Sequence, residues 1–231
     1  MNTSKLSVVS IFPSVDGEVN AFGQGVPTCF IRLAGCNLRC WRDVGGCDTP
    51  QALDRESGAL LSAQQVFEDV EKTGLRKVTI TGGEPLLQKE NLGPLLVLLD
   101  KEAINISVET NGSIMPDFEG DWAVDSWVYD HKCPSSGENE KMIPIDSIYS
   151  RLREVDYLKF VISNGDDYDY ALKKVKGLPY RPTAPRIAFS PREGGMTPAD
   201  LVSRMLDDRL SLVQLNLQIH KYIWPLSVVE R

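Results

Sequence analysis

The 231-residue sequence lacks several things, and each absence removes a class of function. No apolar run approaches the roughly 20 residues that a helix needs to cross a bilayer. The opening stretch, MNTSKLSVVSIFPSVDGE, has no long apolar core of the signal-peptide kind. A cytoplasmic protein without a membrane partner is therefore expected. There is no basic excess either: 25 Lys and Arg face 32 Asp and Glu, a net charge of −7, so no direct nucleic-acid partner is expected and a small substrate fits better. The even, well-spread cysteine set of an oxidised secreted framework is missing, because the five cysteines include three, Cys36, Cys40 and Cys47, within twelve residues. Reduced thiols are then available to a metal. Repeats, low-complexity tracts and linker-like stretches are also absent, so residues 1–231 read as a single domain, at 42% hydrophobic and 25% charged.

What is present is an alternation of β-rich runs and amphipathic segments. Strands are expected over 27–33, 77–81, 105–109, 127–130, 157–162, 186–190 and 213–218, and helices over 62–73, 86–102, 145–153, 167–176 and 198–209. Ser62 is a natural N-cap, with Val66 and Val70 on one face of its helix. Such alternation predicts parallel strands joined by crossovers, an α/β fold. The unusual residues repeatedly follow the strands: Gly35 to Thr49, Gly82 to Pro85, Thr110 to Gly112, His131 to Gly137, and His220 with Lys221. Loops at the carboxyl ends of strands build the active site in α/β barrels. With fewer than eight strands, a partial, incomplete TIM-type barrel is expected, its loops meeting on one rim.

The cysteine loop, GCNLRCWRDVGGCDT, is the most informative of these. A cubane [4Fe–4S] cluster normally takes four thiolates; three leave one iron open to an external ligand. A structural zinc site is the alternative, although zinc ligands usually come as two close pairs, often with histidine. Cys29 is a poor fourth ligand, since strand alternation puts it with Ile31 and Leu33, opposite Phe30 and Arg32. Gly82 and Gly83 give a turn whose backbone a ligand can approach, followed by Glu84, which either accepts bonds from an ammonium group or starts a helix.

Taken together, these residues resemble the radical S-adenosylmethionine enzymes. The resemblance implies a [4Fe–4S] cluster on Cys36, Cys40 and Cys47, with S-adenosylmethionine on the open iron and its amino group at the glycine loop. One electron would cleave that cofactor to a 5′-deoxyadenosyl radical that abstracts a substrate hydrogen. More narrowly, the sequence is similar to the 7-carboxy-7-deazaguanine synthase family of the queuosine-type deazapurine route. The segments that carry this are SVDGE at 14–18, VPTCFIRLAGCNLRC at 26–40, Cys47-Asp48-Thr49, TGGEP at 81–85, VETNG at 108–112, DHKCPSSG at 130–137 and LQIHKY at 217–222.

That resemblance implies a lyase converting 6-carboxy-5,6,7,8-tetrahydropterin to 7-carboxy-7-deazaguanine with loss of ammonia. It implies magnesium on Thr49, whose other reading is a helix N-cap before Pro50. S-adenosylmethionine is assigned to Asp48, Gly83, Glu84, Ser135 and Ser190, and Lys132 is placed near its carboxylate. The substrate is assigned to Val15, Asp16, Gly17, Glu18, Arg32, Thr81, Glu109 and His220, with residues 212–231 as the C-terminal part of its site. Arg32 has a planar guanidinium suited to a bidentate hold on a carboxylate. A homodimer and an electron donor such as flavodoxin or ferredoxin are further implications. Three departures stand out: six residues separate Cys40 from Cys47, Asp16 replaces a glutamine, and residues continue beyond Tyr222-Ile223-Trp224-Pro225. A glycyl-radical-activating enzyme and a zinc-stabilised binding domain are the competing readings.

Overall fold

A computed structural model describes residues 5–43, 45–116 and 123–224. Strand β1 (Lys5–Val15) pairs antiparallel with β2 (Pro27–Leu33) and with β3 (Ala59–Ser62). From β2 onward the neighbours are parallel: β4 (Lys77–Gly82), β5 (Asn105–Thr110), β6 (Ser126–Lys132), β7 (Tyr157–Ile162), β8 (Arg186–Pro191) and β9 (Val213–Leu215). The single sheet of nine strands runs β3-β1-β2-β4-β5-β6-β7-β8-β9 and does not close. The crossovers carry α1 (Ala63–Lys72), α2 (Lys89–Lys101), α3 (Ile145–Tyr149), α4 (Gly165–Lys176) and α5 (Pro198–Asp207). A short α6 (His220–Ile223) follows β9.

The pleat separates two chemistries. On the outer face Cys29, Ile31, Val78, Ile80, Ile106, Val108, Leu158 and Phe160 form one core with Val66, Val70, Leu95, Leu99 and Leu201 of the helices. Each such side chain contributes about 1.5–3 kcal/mol by leaving water. Cys29 is completely buried here, and burial pushes its thiol up to about 11. The alternate residues, Arg32, Lys77, Thr79, Thr81, Ser107, Glu109, Asp130, Lys132, Lys159 and Ser190, face the inside of the curved sheet. Low in that lumen Val19, Val128, Tyr157 and Ala188 form a separate apolar plug.

Local rules explain the helix starts. Ser62 and Gln65 form a reciprocal capping box at α1, as the sequence implied. Asn164 and Thr197 accept bonds from Asp167 N and Asp200 N at α4 and α5. Other expectations are corrected. Strand β9 stops at Leu215 rather than at 218, because the chain turns away to meet residues 16–25: Gln24 Nε2 donates to the Leu217 carbonyl and Ile219 N to the Gly17 carbonyl. Helix α3 ends at Tyr149 instead of Arg153, whose backbone and guanidinium N–H groups go to Asp156. The helix expected from 86 opens with a 3₁₀ turn, Pro85–Gln88, before α2 proper. Strands β1 and β3 were not expected at all. The tail at 225–231 lies outside the described residues, as do residues 1–4.

Candidate active site

The loops after β2, β4, β5 and β6 are joined directly to one another at the carboxyl rim. Gly83 N donates to the Leu33 carbonyl at 3.0 Å and Glu84 N to the Gly35 carbonyl at 2.8 Å. Asn111 Nδ2 reaches Asn37 Oδ1 at 3.1 Å and Cys36 Sγ at 3.6 Å. Trp41 N donates to the Ser136 carbonyl at 2.9 Å, and Arg39 N to Glu138 Oε1 at 2.7 Å. The last segment closes the ring, where Lys221 Nζ bridges Asp48 at 3.5 Å and Glu193 at 2.9 Å.

All three loop thiols are free. Two already accept backbone N–H groups, Cys36 from Leu38 at 3.4 Å and Cys47 from Thr49 at 3.4 Å. Hydrogen bonds to sulfur of this kind are one means of tuning an iron–sulfur cluster. Burial pushes the Cys40 thiol up to about 11, and Cys47 and Cys36 lie near enough to add to that rise. Among the described residues no group of three or more His, Cys, Asp or Glu is drawn together as a ready-made single-ion site. The donor set, three unbridged thiols on a loop rich in N–H groups, fits a cluster with one open iron. The described residues of the long gap before Cys47 turn back on themselves. Trp41 adopts a φ of 54°, Gly46 N donates to its carbonyl at 2.8 Å, and its ring lies 5.6 Å from Lys132 Nζ and 5.2 Å from the Arg192 guanidinium.

The residues assigned to S-adenosylmethionine divide into two groups. Gly83 is pressed between loops, since a Cβ there would fall 2.2 Å from the Gly35 carbonyl oxygen and 2.4 Å from that of Ala52. Glu84 is not presented to a ligand. It is fully buried, accepts from Leu86 N, Thr110 Oγ1 and Asn111 N, and ties the β4 loop to the β5 loop. Burial holds its carboxyl up at about 7. Ser135 gives its N–H and hydroxyl to Asp167, and Ser190 Oγ accepts from Asn216 Nδ2 at 3.0 Å. Asp48 is exposed beside Thr49, whose hydroxyl lies 3.2 Å from Asp48 Oδ1. Thr49 occupies the N-cap position before Pro50 but its side chain makes no capping bond.

The lumen holds most of the residues assigned to the substrate. Arg32 lies against Phe12, its guanidinium 5.7 Å from the ring centroid, and its buried Nε has no hydrogen-bond partner. It is in register with Thr81, whose hydroxyl donates to Glu109 Oε2 at 2.8 Å. Burial, then the like charge of Glu18, holds the Glu109 carboxyl up at about 7. Glu18 pairs with Lys159 and accepts from Gln218 Nε2 at 2.9 Å. The His220 ring packs where a Cβ of Gly17 would otherwise sit, 1.9 Å from Nδ1. Asp16 departs from its assignment. Its carboxylate pairs with buried Lys77 at 2.5 Å and accepts from Thr79 at 2.6 Å, while its N–H and carbonyl are taken by Val26 and Gly25. Val15 ends β1 opposite Pro27.

Known proteins match this arrangement. A family model described as "4Fe-4S single cluster domain" matches residues 21–128. A 7-carboxy-7-deazaguanine synthase from Methanospirillum hungatei is 36% identical over 222 residues, 96% of this chain and 86% of its own. One from Clostridium acetobutylicum is 34% identical, covering 94% and 95%. The chain belongs to the 7-carboxy-7-deazaguanine synthase family. As a synthase of this family it is a lyase of the radical S-adenosylmethionine class, built for a [4Fe–4S] cluster and S-adenosylmethionine. Its open, mostly parallel sheet also matches the crystal structure of QueE from Escherichia coli, with a TM-score of 0.67 at 20% identity, over 92% of this chain and 93% of that one.

Sequence reasoning missed two lumen residues of this synthase scaffold. Lys159 Nζ contacts Glu18 and lies 3.8 Å from Asp130 Oδ2, which also accepts from Lys132 at 2.6 Å. Asp130 was quoted only as the start of a motif, and its Oδ1 is buried without a partner. The signal was available in YLKFVI, where a lone lysine alternates with Leu158 and Phe160 as Arg32 alternates with Ile31 and Leu33.

Proposed function

We propose that the chain converts 6-carboxy-5,6,7,8-tetrahydropterin to 7-carboxy-7-deazaguanine with loss of ammonia, acting as one domain over residues 1–231. The observation that carries this is the unpaired, buried Arg32 Nε inside a lumen that also holds Thr81–Glu109 and Glu18, one residue before the end of the strand that feeds the three-cysteine loop. When bound, the reduced cluster and S-adenosylmethionine supply the one-electron chemistry that removes a substrate hydrogen. Cys36, Cys40 and Cys47 hold the cluster, and the Gly83 backbone with Asp48, Ser135 and Ser190 lines the place of S-adenosylmethionine. Arg32 grips the substrate carboxylate. Glu18, Glu109, Thr81, His220 and the backbone of Val15 and Gly17 hold the ring, and Glu109, held up at about 7 by burial, is able to take or give a proton at neutral pH.

The Thr49 hydroxyl, free of any capping bond, would be the protein's ligand to magnesium, a hard cation that takes oxygen donors. Glycyl-radical activation would need a surface for a protein substrate rather than a polar lumen holding Arg32, Thr81, Glu109 and Glu18. Further parts of the proposal are a homodimer, a flavodoxin or ferredoxin as electron donor, and a cytoplasmic setting; no helix of the described residues is long and apolar enough to cross a membrane. The test is anaerobic reconstitution followed by turnover with carboxytetrahydropterin, with and without magnesium. The expected protein carries about four irons per chain, makes the deazaguanine, and loses its magnesium stimulation in Thr49→Ala. Absence of that product, or zinc in place of iron, rejects the reading.

A further inference from the structure

Glu18 and Glu109 lie in one lumen, yet their surroundings differ. Glu18 is paired with Lys159 on β7 and acts on Glu109 on β5 and His220 on α6; beyond these, Asp130 with Lys132 on β6 shares Lys159, Asp16 acts on Glu109, and Arg32 on β2 acts on His220. Of these only Lys159 forms an ion pair with Glu18 among the described residues. Asp130 does not depend on that lysine, because it has Lys132 at 2.6 Å and Lys159 only at 3.8 Å. The Lys159 side chain is 7% exposed and stands on the Val128–Tyr157 plug, one inward position nearer the rim. Burial works against its charge, but Asp130, Glu18 and Glu109 hold it protonated. Gln218 fixes the other Glu18 oxygen at 2.9 Å. A carboxylate has about four acceptor positions, so Glu18 keeps two for a ligand while Lys159 and Gln218 set its plane.

We propose that Lys159 is a positioning residue that keeps Glu18 an oriented anion, so that the lumen selects a ring edge offering two N–H donors, such as an aminopyrimidinone. This rests on the functional reading above. Glu109 receives the Thr81 hydroxyl instead, and among the described residues no lysine or arginine is in ion-pair contact with it, Lys159 acting on it only from farther off. The two carboxylates therefore do different work: Glu18 reads the ring edge, and Glu109 is left to handle a proton.

The test is steady-state kinetics of the reconstituted holoenzyme with carboxytetrahydropterin at one fixed pH. Lys159→Met is expected to raise KM about tenfold or more, the scale for truncating one partner of a buried ion pair, with kcat nearly unchanged. Lys159→Arg keeps the cation and restores most of that affinity, which a merely structural role does not predict. In a Glu18→Gln background Lys159→Met adds no further loss of affinity. That neutral pair also serves if Lys159→Met alone does not fold. A Lys159→Met enzyme with the parent's KM, a loss confined to kcat, or a further loss in the Glu18→Gln background overturns the inference. No product from the parent overturns the functional reading, and the inference with it.

Discussion

At the scale of single residues, burial decides which titratable groups are available to chemistry and which only weigh on stability. His131 points outward from β6, stacks against Tyr170 with centroids 6.1 Å apart, and meets its hydroxyl at 3.1 Å through Nε2. Burial, and then the Lys174 charge, lowers it to about 4 from an ordinary value of 6.5. The neutral ring is favoured in the folded state, so its contribution is intact above about pH 6.5 and is lost as pH falls toward about 4. Chemical denaturation at stepped pH should show His131→Asn removing about 2–3 kcal/mol of that acid-side loss. An unchanged acid limb would mean that the folded ring takes up its proton as readily as the unfolded one. Legibility follows the same line. The inward placing of Arg32 was legible from the alternation of its strand, whereas adjacent glycines left Glu84 between ligand acceptor and helix start; its carboxylate caps Pro85–Gln88 through Leu86 N, and nothing local signalled that it would also accept from Thr110 and Asn111.

At the scale of elements, the parallel strands were legible because each is a short apolar run with alternating faces, closed by glycine or a polar loop. Strand β1 was not, since KLSVVSIFPSV breaks its alternation at an irregularity between Val8 and Ser10 and carries Pro13 within the run. Strand β3 is only ALLS and merges into the α1 cap. The end of β9 was misplaced because its partner, the 16–25 segment, is far away in sequence. The β4 loop shows what such meetings demand. Gly83→Ala forces a methyl group into two backbone carbonyls, those of Gly35 and Ala52. The expected result is a folded chain by circular dichroism that retains less iron, with activity down on the order of 100-fold from misplacement of the loops. Full iron content and parent-like activity would show that the contact gives way easily.

At the scale of the whole molecule, the open sheet keeps its apolar core outside and its charges inside, the reverse of a soluble sandwich. That is tolerable because most of the inner charges come in matched sets, Asp16 with Lys77, Asp130 with Lys132 and Glu18 with Lys159, which leaves Arg32 and Glu109 to a ligand. Breaking a buried pair is far costlier than replacing both members. Lys77→Met should therefore cost about 3–5 kcal/mol in denaturant unfolding, and Lys77→Met with Asp16→Asn clearly less. Neither change should alter KM for carboxytetrahydropterin, since this pair sits below Thr81 on β4 and serves the scaffold. A KM shift in Asp16→Asn would return Asp16 to the substrate.

The matched sets also impose an order on the making of the protein. The iron-binding loop is complete within the first fifty residues, as is Glu18, but the bond from Gln218 to Glu18 spans 200 positions. At about 5–20 residues per second, a ribosome needs on the order of 10–40 s to supply that partner. A nascent chain thus exposes thiols able to capture metal well before it has a floor on which a substrate can lie. The substrate site therefore cannot be completed when the cysteine loop is, but only once Gln218 has emerged to meet Glu18.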